Sequence, residues 1–144
     1  MFFLKELPTQ TMIDKYAAQF TEMDREKFSD ALHMLRRASL LIRKLEAYFS
    51  EHGLSQTRFL ILMVLDREPD TDSLTIGDIV DRLDVSKPVI TNTLKTLKKD
   101  GLVKIDAGEK DRREKTVTIT KSGCEKIYSI LPGYYHVINE EMES

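Results

Sequence analysis

The segment from Lys87 to Lys99 contains the side chains with the clearest chemistry, because every charged residue in it is a lysine. No acid follows until Asp100. A solvated helix face usually mixes both signs, whereas a face with only ammonium groups favours a polyanion such as DNA. Among these lysines lies Asn92, whose side chain can pair bidentately with adenine. The residues expected on this outer face are Lys87, Pro88, Thr91, Asn92, Lys95, Lys98 and Lys99.

A second basic segment, "GEKDRREK", begins at Gly108 and includes Arg112 and Arg113. Residues 82–121 hold eleven Lys or Arg and six Asp or Glu, a local charge of +5, although the formal net charge of the chain is −2. This distribution predicts a localised phosphate-binding face on an acidic body. The alternative is an ordinary surface of mixed charge.

Capping signals predict two consecutive helices that would position the lysines. Thr75 and Asp78 have the spacing of a capping box, which begins a short helix. Ser86 is a candidate N-cap of the second helix, Pro88 falls in its first turn, and Gly101 ends it. Two short helices joined by a tight turn are the helix-turn-helix pattern. The inward stripe of the second helix is predicted to be Val89, Ile90, Leu94 and Leu97.

The chain then predicts a β-hairpin with a charged loop. "LVKI" at 102–105 and "KTVTIT" at 115–120 alternate with period two, which places Val117 and Ile119 inward. Two helices followed by such a hairpin form a winged helix-turn-helix. Its second helix fits the major groove of DNA, while the loop, or wing, reaches the backbone and the minor groove.

The N-terminal part is predicted to be helical and to have a second packing partner. A short helix is expected at about 11–22 and a long one at 25–52. In the long helix, a further apolar row widens the stripe beyond what one small bundle buries, so a second subunit is the economical partner. The seven-residue repeat is Phe28, Leu35, Ile42 and Phe49, and the further row is Met34, Leu41 and Tyr48.

The remaining elements follow from stop and cap signals. Gly53 ends the long helix, and Ser55 caps a helix over "RFLILMVL" that stops before Pro69 and the acidic loop "DTDS". Thr120 caps a C-terminal helix, which Pro132-Gly133 is predicted to break before a last helix at 134–142.

Two stretches resemble the multiple-antibiotic-resistance repressor (MarR) family. "DRREKTVTITKSG" is similar to its D-x-R…v-x-L-T-x-x-G wing signature, with Ile119 in place of the usual Leu. "LTIGDIVDRLDVSKPVITNTLKTLKKDGLV" looks like its two reading helices, so the motif match runs from about Leu54 to Gly123. The resemblance implies a mostly α fold with a small β-hairpin, in which a winged helix-turn-helix domain joins an N- and C-terminal helical dimerisation region.

The resemblance also implies roles for single residues. Arg113 matches the arginine that enters the minor groove, and Asp111 matches the acid that orients the wing. Asn92 stands where the family often has Arg, so a base preference cannot be carried over. The full set expected to contact DNA is Ser86, Lys87, Pro88, Thr91, Asn92, Lys95, Arg112 and Arg113.

The predicted organisation is a single chain, 1–144, with dimerisation helices at 10–52 and 121–144 around a winged helix-turn-helix at 54–120. The resemblance implies a homodimer that binds a pseudo-palindromic operator in double-stranded DNA, usually as a repressor. It also implies release when a small molecule or an oxidant acts. Two half-sites would lie about one helical turn, or a multiple of it, apart. No cofactor is expected, and the effector stays unidentified.

The alternative function is a winged-helix adaptor or antirepressor that contacts proteins. The lysine face favours DNA over it. An enzyme is not expected, since the sequence has no Gly-rich phosphate loop, nucleophile elbow or metal quartet. No apolar run approaches the length of a membrane span, and no secretory signal is recognisable, so a cytoplasmic protein is expected.

Three kinds of residue could sense an effector, and each also has a structural interpretation. Cys124 lies on an apolar stripe, which favours a buried thiol over a redox trigger. His33, His52 and His136 lack metal-ligand spacing, which favours structural or surface roles. The Tyr and Phe rings could line an effector pocket, but in a helical dimer they are more often core.

Overall fold

A computed structural model of the chain describes residues 2–108, 110–111 and 113–143. The chain forms two compact units, Met1–Leu45 and Glu46–Ser144. Helices dominate beside a small antiparallel sheet, which confirms the predicted fold class. The elements are α1 (Gln10–Ala17), α2 (Arg25–Glu51), α3 (Gln56–Asp66), β1 (Ser73–Thr75), α4 (Ile76–Arg82), α5 (Lys87–Lys99), β2 (Val103–Ala107), β3 (Lys115–Ile119) and α6 (Lys121–Glu143).

The first helix ends five residues earlier than the predicted Glu22. The side chain of Gln19 donates to the carbonyl of Lys15 at 3.3 Å, which satisfies one of the open carbonyls at the end of α1. The carboxylate of Asp24 then accepts from the N–H of Lys27 at 3.0 Å and so caps α2. Because this cap fixes the start of α2, the chain has to turn between Ala17 and Asp24.

The N-terminal unit leaves part of the seven-residue apolar repeat exposed. Ile13 and Leu45 are buried, but Phe28 is 39 % exposed, Leu35 45 % and Met34 66 %. Large apolar side chains exposed on two neighbouring rows of one helix are costly to leave in water. The stripe of α2 is therefore wider than its own unit covers, as the sequence predicted.

The predicted hairpin is present as the pair β2–β3, and β1 extends it to a three-stranded sheet. Its order is β1-β3-β2, with both pairings antiparallel. Leu74 on β1 lies opposite Val117 and is buried, and the hydroxyls of Ser73 and Thr118 are 2.6 Å apart. The prediction of a loop over "DTDS" is therefore wrong at Ser73, which is the first residue of β1. Val117 and Ile119 are buried, as predicted.

Capping in the second unit follows the sequence closely. Thr75 and Asp78 form the predicted capping box, and Ser55 accepts from the N–H of Arg58 at 3.2 Å. Gly53 and Gly101 adopt positive φ, 70° and 76°, which a glycine adopts without the steric cost of a Cβ. The core of this unit is continuous from α3 to α6 and includes Phe59, Ile61, Leu62, Leu65, Ile79, Leu94, Leu97, Val117, Ile127 and Ile130.

The predicted helix break at Pro132-Gly133 is wrong, because α6 continues through both residues. The hydroxyl of Tyr48 donates to the carbonyl of Ile130 at 2.6 Å, and the backbone N–H of Tyr134 hydrogen-bonds to the Tyr48 oxygen. A Cβ at Gly133 would collide with the Tyr48 ring, so the glycine opens the notch that receives it. Tyr48 therefore supplies hydrogen bonds in the turn that Pro132 weakens.

Replacing Tyr48 by Phe should lower the free energy of unfolding by about 1 kcal/mol, because the Ile130 carbonyl loses its hydroxyl donor. Burial raises the pKa of Tyr48, which keeps the donated proton in place. Urea denaturation measures the change. Tyr135→Phe is the matched control, since Tyr135 is exposed. Equal effects of the two variants would contradict this role.

Candidate nucleic-acid interface

The lysine helix α5 is fixed at its inner face and at its C-terminal end. Ile90, Leu94 and Leu97 are buried. Beyond the last turn, the N–H of Leu102 donates to the carbonyl of Leu97 at 2.9 Å and the N–H of Gly101 to that of Lys98 at 3.0 Å. These two bonds form a Schellman motif, which gives the helix a defined end. The outer face of α5 is thus held in one orientation on the winged unit.

That outer face presents the residues that the sequence predicted. Thr91 is half-buried and the others are exposed: Ser86, Lys87, Pro88, Asn92, Lys95, Lys98 and Lys99. None of the four lysines forms an ion pair with a residue that the structure describes. Elsewhere in the unit some basic side chains are paired, as in Arg82–Glu68 at 3.0 Å and Arg58–Asp100 at 3.8 Å. The ammonium groups of α5 therefore remain available for an external anion.

Two residues at the start of α5 differ from their predicted roles. Ser86 occupies the N-cap position, but its side chain makes no cap hydrogen bond. Val89 was predicted to point inward and is 45 % exposed. On a helix, a residue directly before the buried Ile90 lies about 100° away from it, so Val89 falls on the flank. The sequence prediction therefore missed Val89 as a surface residue, although its position directly before Ile90 indicates the flank of the helix.

Hydrogen bonds to Asp111 and a glycine at position 108 shape the wing. The carboxylate of Asp111 accepts from the N–H of Arg113 at 3.0 Å, and the Asp111 carbonyl accepts from the N–H of Glu114 at 3.0 Å. A Cβ at Gly108 would collide with the carbonyl oxygens of Asp111 and Glu114, so this position requires glycine. Arg113 is exposed at the turn, and Arg112 lies outside the described residues.

Cys124 is half-buried rather than fully buried, and its surroundings disfavour the thiolate. Its sulfur lies 3.9 Å from a carboxylate oxygen of Asp66. Burial first, and then the negative charge of Asp66, raises the pKa of the thiol. A raised pKa lowers the thiolate fraction at neutral pH, and the thiolate is the reactive form.

Alkylation of Cys124 by iodoacetamide at pH 7 should therefore be slower than that of free cysteine. Asp66→Asn should accelerate it, because removing the charge lowers the thiol pKa, whereas Asp70→Asn should not. Rates measured from pH 7 to 10 on the native protein test both expectations. A wild-type rate equal to that of free cysteine would contradict them.

The histidines have local partners. His33 and His52 place Nδ1 at 2.8 and 2.9 Å from the carbonyls of Ser29 and Tyr48, and His136 lies 3.1 Å from Glu140. Within the described ranges, no group of three or more His, Cys, Asp or Glu side chains could hold a metal ion.

Aromatic rings line an open groove in the N-terminal unit. Tyr16, Phe20 and Phe28 contribute to a cavity of about 780 Å³, which Glu22, Asp24 and Lys27 also line. All three rings are exposed. The three rings are thus open in the single chain, and the expectation that they pack as core in a dimer stays a prediction.

Comparison with known proteins agrees with this arrangement. Residues 52–114, from just before α3 to the wing, match the model of the MarR family. The HTH-type transcriptional repressor YetL of Bacillus subtilis is 29 % identical over 141 residues, covering 98 % of this chain and 84 % of that protein. The region from 52 to 114 is therefore similar to the MarR family, as the motifs of the reading helices and the wing predicted.

Solved structures of transcriptional regulators have the same fold. Sco3205 of Streptomyces coelicolor, solved in complex with DNA, matches with a TM-score of 0.77 at 18 % identity, over 83 % of this chain and 74 % of its own. MosR of Mycobacterium tuberculosis, also in complex with DNA, gives 0.65 at 25 % identity, over 79 % and 80 %.

The proteins that the chain resembles are transcriptional regulators and not enzymes, which agrees with the predicted class of function. The winged helix-turn-helix of the chain is a DNA-binding module. No helix that the structure describes is long and apolar enough to span a bilayer.

Proposed function

We propose that this MarR-type regulator binds a pseudo-palindromic operator as a homodimer in the cytoplasm and represses transcription until a small molecule releases it. The observation that carries the proposal is the outer face of α5, where four exposed lysines have no ionic partner among the described residues. Such a face neutralises phosphates, and the N-terminal residues of the helix reach base edges in the major groove.

The exposed apolar row of α2 supports the homodimer. Phe28 and Leu35 of the seven-residue repeat and Met34 of the further row are exposed, and a second copy of the chain would cover them with the same face of α2 or with α6. Both helices belong to the regions predicted to dimerise, 10–52 and 121–144. Two linked reading heads then require two half-sites, and their symmetry makes the operator pseudo-palindromic.

The groove beside Phe28 supports a small-molecule effector. Its lining is largely apolar and aromatic and also includes Glu22, Asp24 and Lys27, a combination of apolar wall and few polar groups that is typical of small-molecule sites. Phe28 also belongs to the exposed row of α2, so a ligand there would alter the surface on which the second chain packs. No resident cofactor or metal is needed for this release. Repression is supported by the name of YetL, a relative described as a repressor.

Selection of bound duplexes from a random DNA pool tests the proposal. The purified protein should enrich a sequence with two inverted half-sites, and sedimentation of the complex should give two chains per duplex. Weak, equal binding to every duplex would contradict operator recognition and would favour the adaptor function. Binding of one chain per duplex would contradict the homodimer.

Replacing Arg113 by Ala should weaken operator binding roughly 10- to 100-fold, the usual loss for one charged hydrogen bond. The wing Arg is expected in the minor groove, where the potential is most negative over A-tracts. Fluorescence anisotropy on the selected duplex measures the affinity. Lys110→Ala, in the same exposed turn, should cost less. Unchanged affinity of the Arg113 variant, with an unaltered thermal melt, would remove the wing from recognition.

A further inference from the structure

The exposed residues of α5 separate into a cationic flank and an uncharged flank. At 100° per residue, Lys87, Thr91, Lys95 and Lys98 fall on one side of the helix. Val89, Asn92 and Thr96 fall on the other side, with i, i+3, i+7 spacing, and all three are exposed. We call these three residues the uncharged strip. Lys99, in the last turn, continues the line of Asn92, so this side of the helix is uncharged from Val89 to Thr96 only. Over these first turns the two flanks present different chemical groups.

Val89 is the unusual member of the uncharged strip. It is an apolar, β-branched side chain, 45 % exposed, in the first turn of a helix whose outer face is otherwise polar apart from Pro88. The hydroxyl of Thr93, one turn later, donates to the carbonyl of Val89 at 2.7 Å. The Thr93 hydroxyl therefore already has a partner. It is not a free polar group beside the exposed side chain of Val89. The two methyl groups of Val89 at this position match an apolar group on the edge of a base.

The major groove has one such feature, the C5-methyl group of thymine. Three residues further along α5, Asn92 presents an amide that matches the N6 and N7 atoms of adenine. The uncharged strip itself has no Arg or Lys, the side chains that pair best with guanine. Its chemistry is thus complementary to A·T base pairs.

We propose that Val89 is a specificity-determining residue that packs on a thymine methyl group, while Asn92 pairs with an adenine in the same half-site. This inference depends on the proposed operator binding. The cationic flank, Lys87, Lys95 and Lys98, then contacts phosphates along one strand. The operator is therefore A·T-containing where the first turns of α5 enter the major groove.

Deoxyuridine scanning tests the contact, because uracil differs from thymine only by the missing methyl group. In the selected operator, each thymine is replaced by deoxyuridine in turn, and the affinities of wild type and Val89→Ala are measured. At one thymine per half-site, the replacement should weaken wild-type binding about four-fold, the value of one buried methyl group. The same replacement should leave the affinity of Val89→Ala unchanged. Lys98→Gln, a variant of the cationic flank, should keep the four-fold penalty.

Adenine replacement by 7-deazaadenine tests Asn92 in the same way. It should weaken wild type and Lys98→Gln but not Asn92→Ala, because only the Asn amide uses N7. Val89 and Asn92 are exposed, so both variants should melt like wild type. If wild type selects no operator, the proposed function fails. If it selects one and every deoxyuridine affects wild type and Val89→Ala equally, the Val89 contact is overturned while operator binding stands.

Discussion

Simultaneous replacement of Lys87, Lys95, Lys98 and Lys99 by Gln should weaken operator binding on the order of 10³-fold at about 0.1 M salt. Each lysine that neutralises a phosphate contributes about 0.9 to the slope of log affinity against log salt. Four contacts lower that slope by about 3.6 for each bound chain. The effect is large because these ammonium groups have no ionic partner among the described residues that would compete with phosphate.

A charge-matched variant separates this local effect from net charge. Changing Lys5, Lys15, Lys27 and Lys44 to Gln removes the same charge from the N-terminal unit. Its salt slope should stay close to that of wild type. Lys95→Gln alone should lower the slope by about 0.9 per chain. Equal losses for the two quadruple variants would mean that the overall charge, and not the α5 face, determines affinity.

Gly123→Ala should lower the free energy of unfolding by about 3 kcal/mol, in the upper part of the range for overpacking. A Cβ at Gly123 would collide with the carbonyl oxygen of Leu102 and with Cγ1 of Ile119. The backbone there cannot move freely, because the Leu102 carbonyl accepts from the N–H of Thr120 at 3.1 Å. The side-chain hydroxyl of Thr120 in turn accepts from the N–H of Gly123 at 3.0 Å. This joint holds α6 against the end of α5 and the sheet.

Gly77→Ala is the matched control for Gly123→Ala. Gly77 is also helical, and the nearest atom to its added Cβ is a side-chain oxygen at 3.7 Å, an ordinary contact. Since Ala is about 1 kcal/mol better than Gly inside a helix, this variant should be stabilised. Urea denaturation of both variants gives the two free energies. Stabilisation of Gly123→Ala as well would contradict the collision.

The parts of the fold that follow from local chemistry could be predicted from the sequence. The Thr75–Asp78 capping box and the glycines at 53 and 101 act through the backbone of a few neighbouring residues. The alternation at 115–119 likewise fixed which side chains of β3 are buried. These signals placed α5 and the wing correctly, and with them most of the candidate interface.

The parts that depend on distant contacts could not be predicted. The sequence around Pro132-Gly133 reads as a helix break, and only Tyr48, 84 residues earlier, shows why α6 continues. The strand β1 has three residues, too few for an alternating pattern, and it exists because β3 offers it a paired edge. Val89 was assigned to the core because it is apolar, and its exposure follows from where the rest of the unit contacts α5.

The most direct test of the central claim is affinity cleavage of the selected operator by an iron chelate. The chelate is attached through Lys99→Cys at the end of α5, or through Lys110→Cys in the wing, with Cys124→Ser removing the native thiol. The α5 position should cut inside each half-site with the strand offset of the major groove, and the wing position should cut the flanking minor groove. A chelate attached through Lys5→Cys serves as the control. If the α5 and wing positions cut a bound duplex no more than this control does, recognition by α5 and the wing is contradicted.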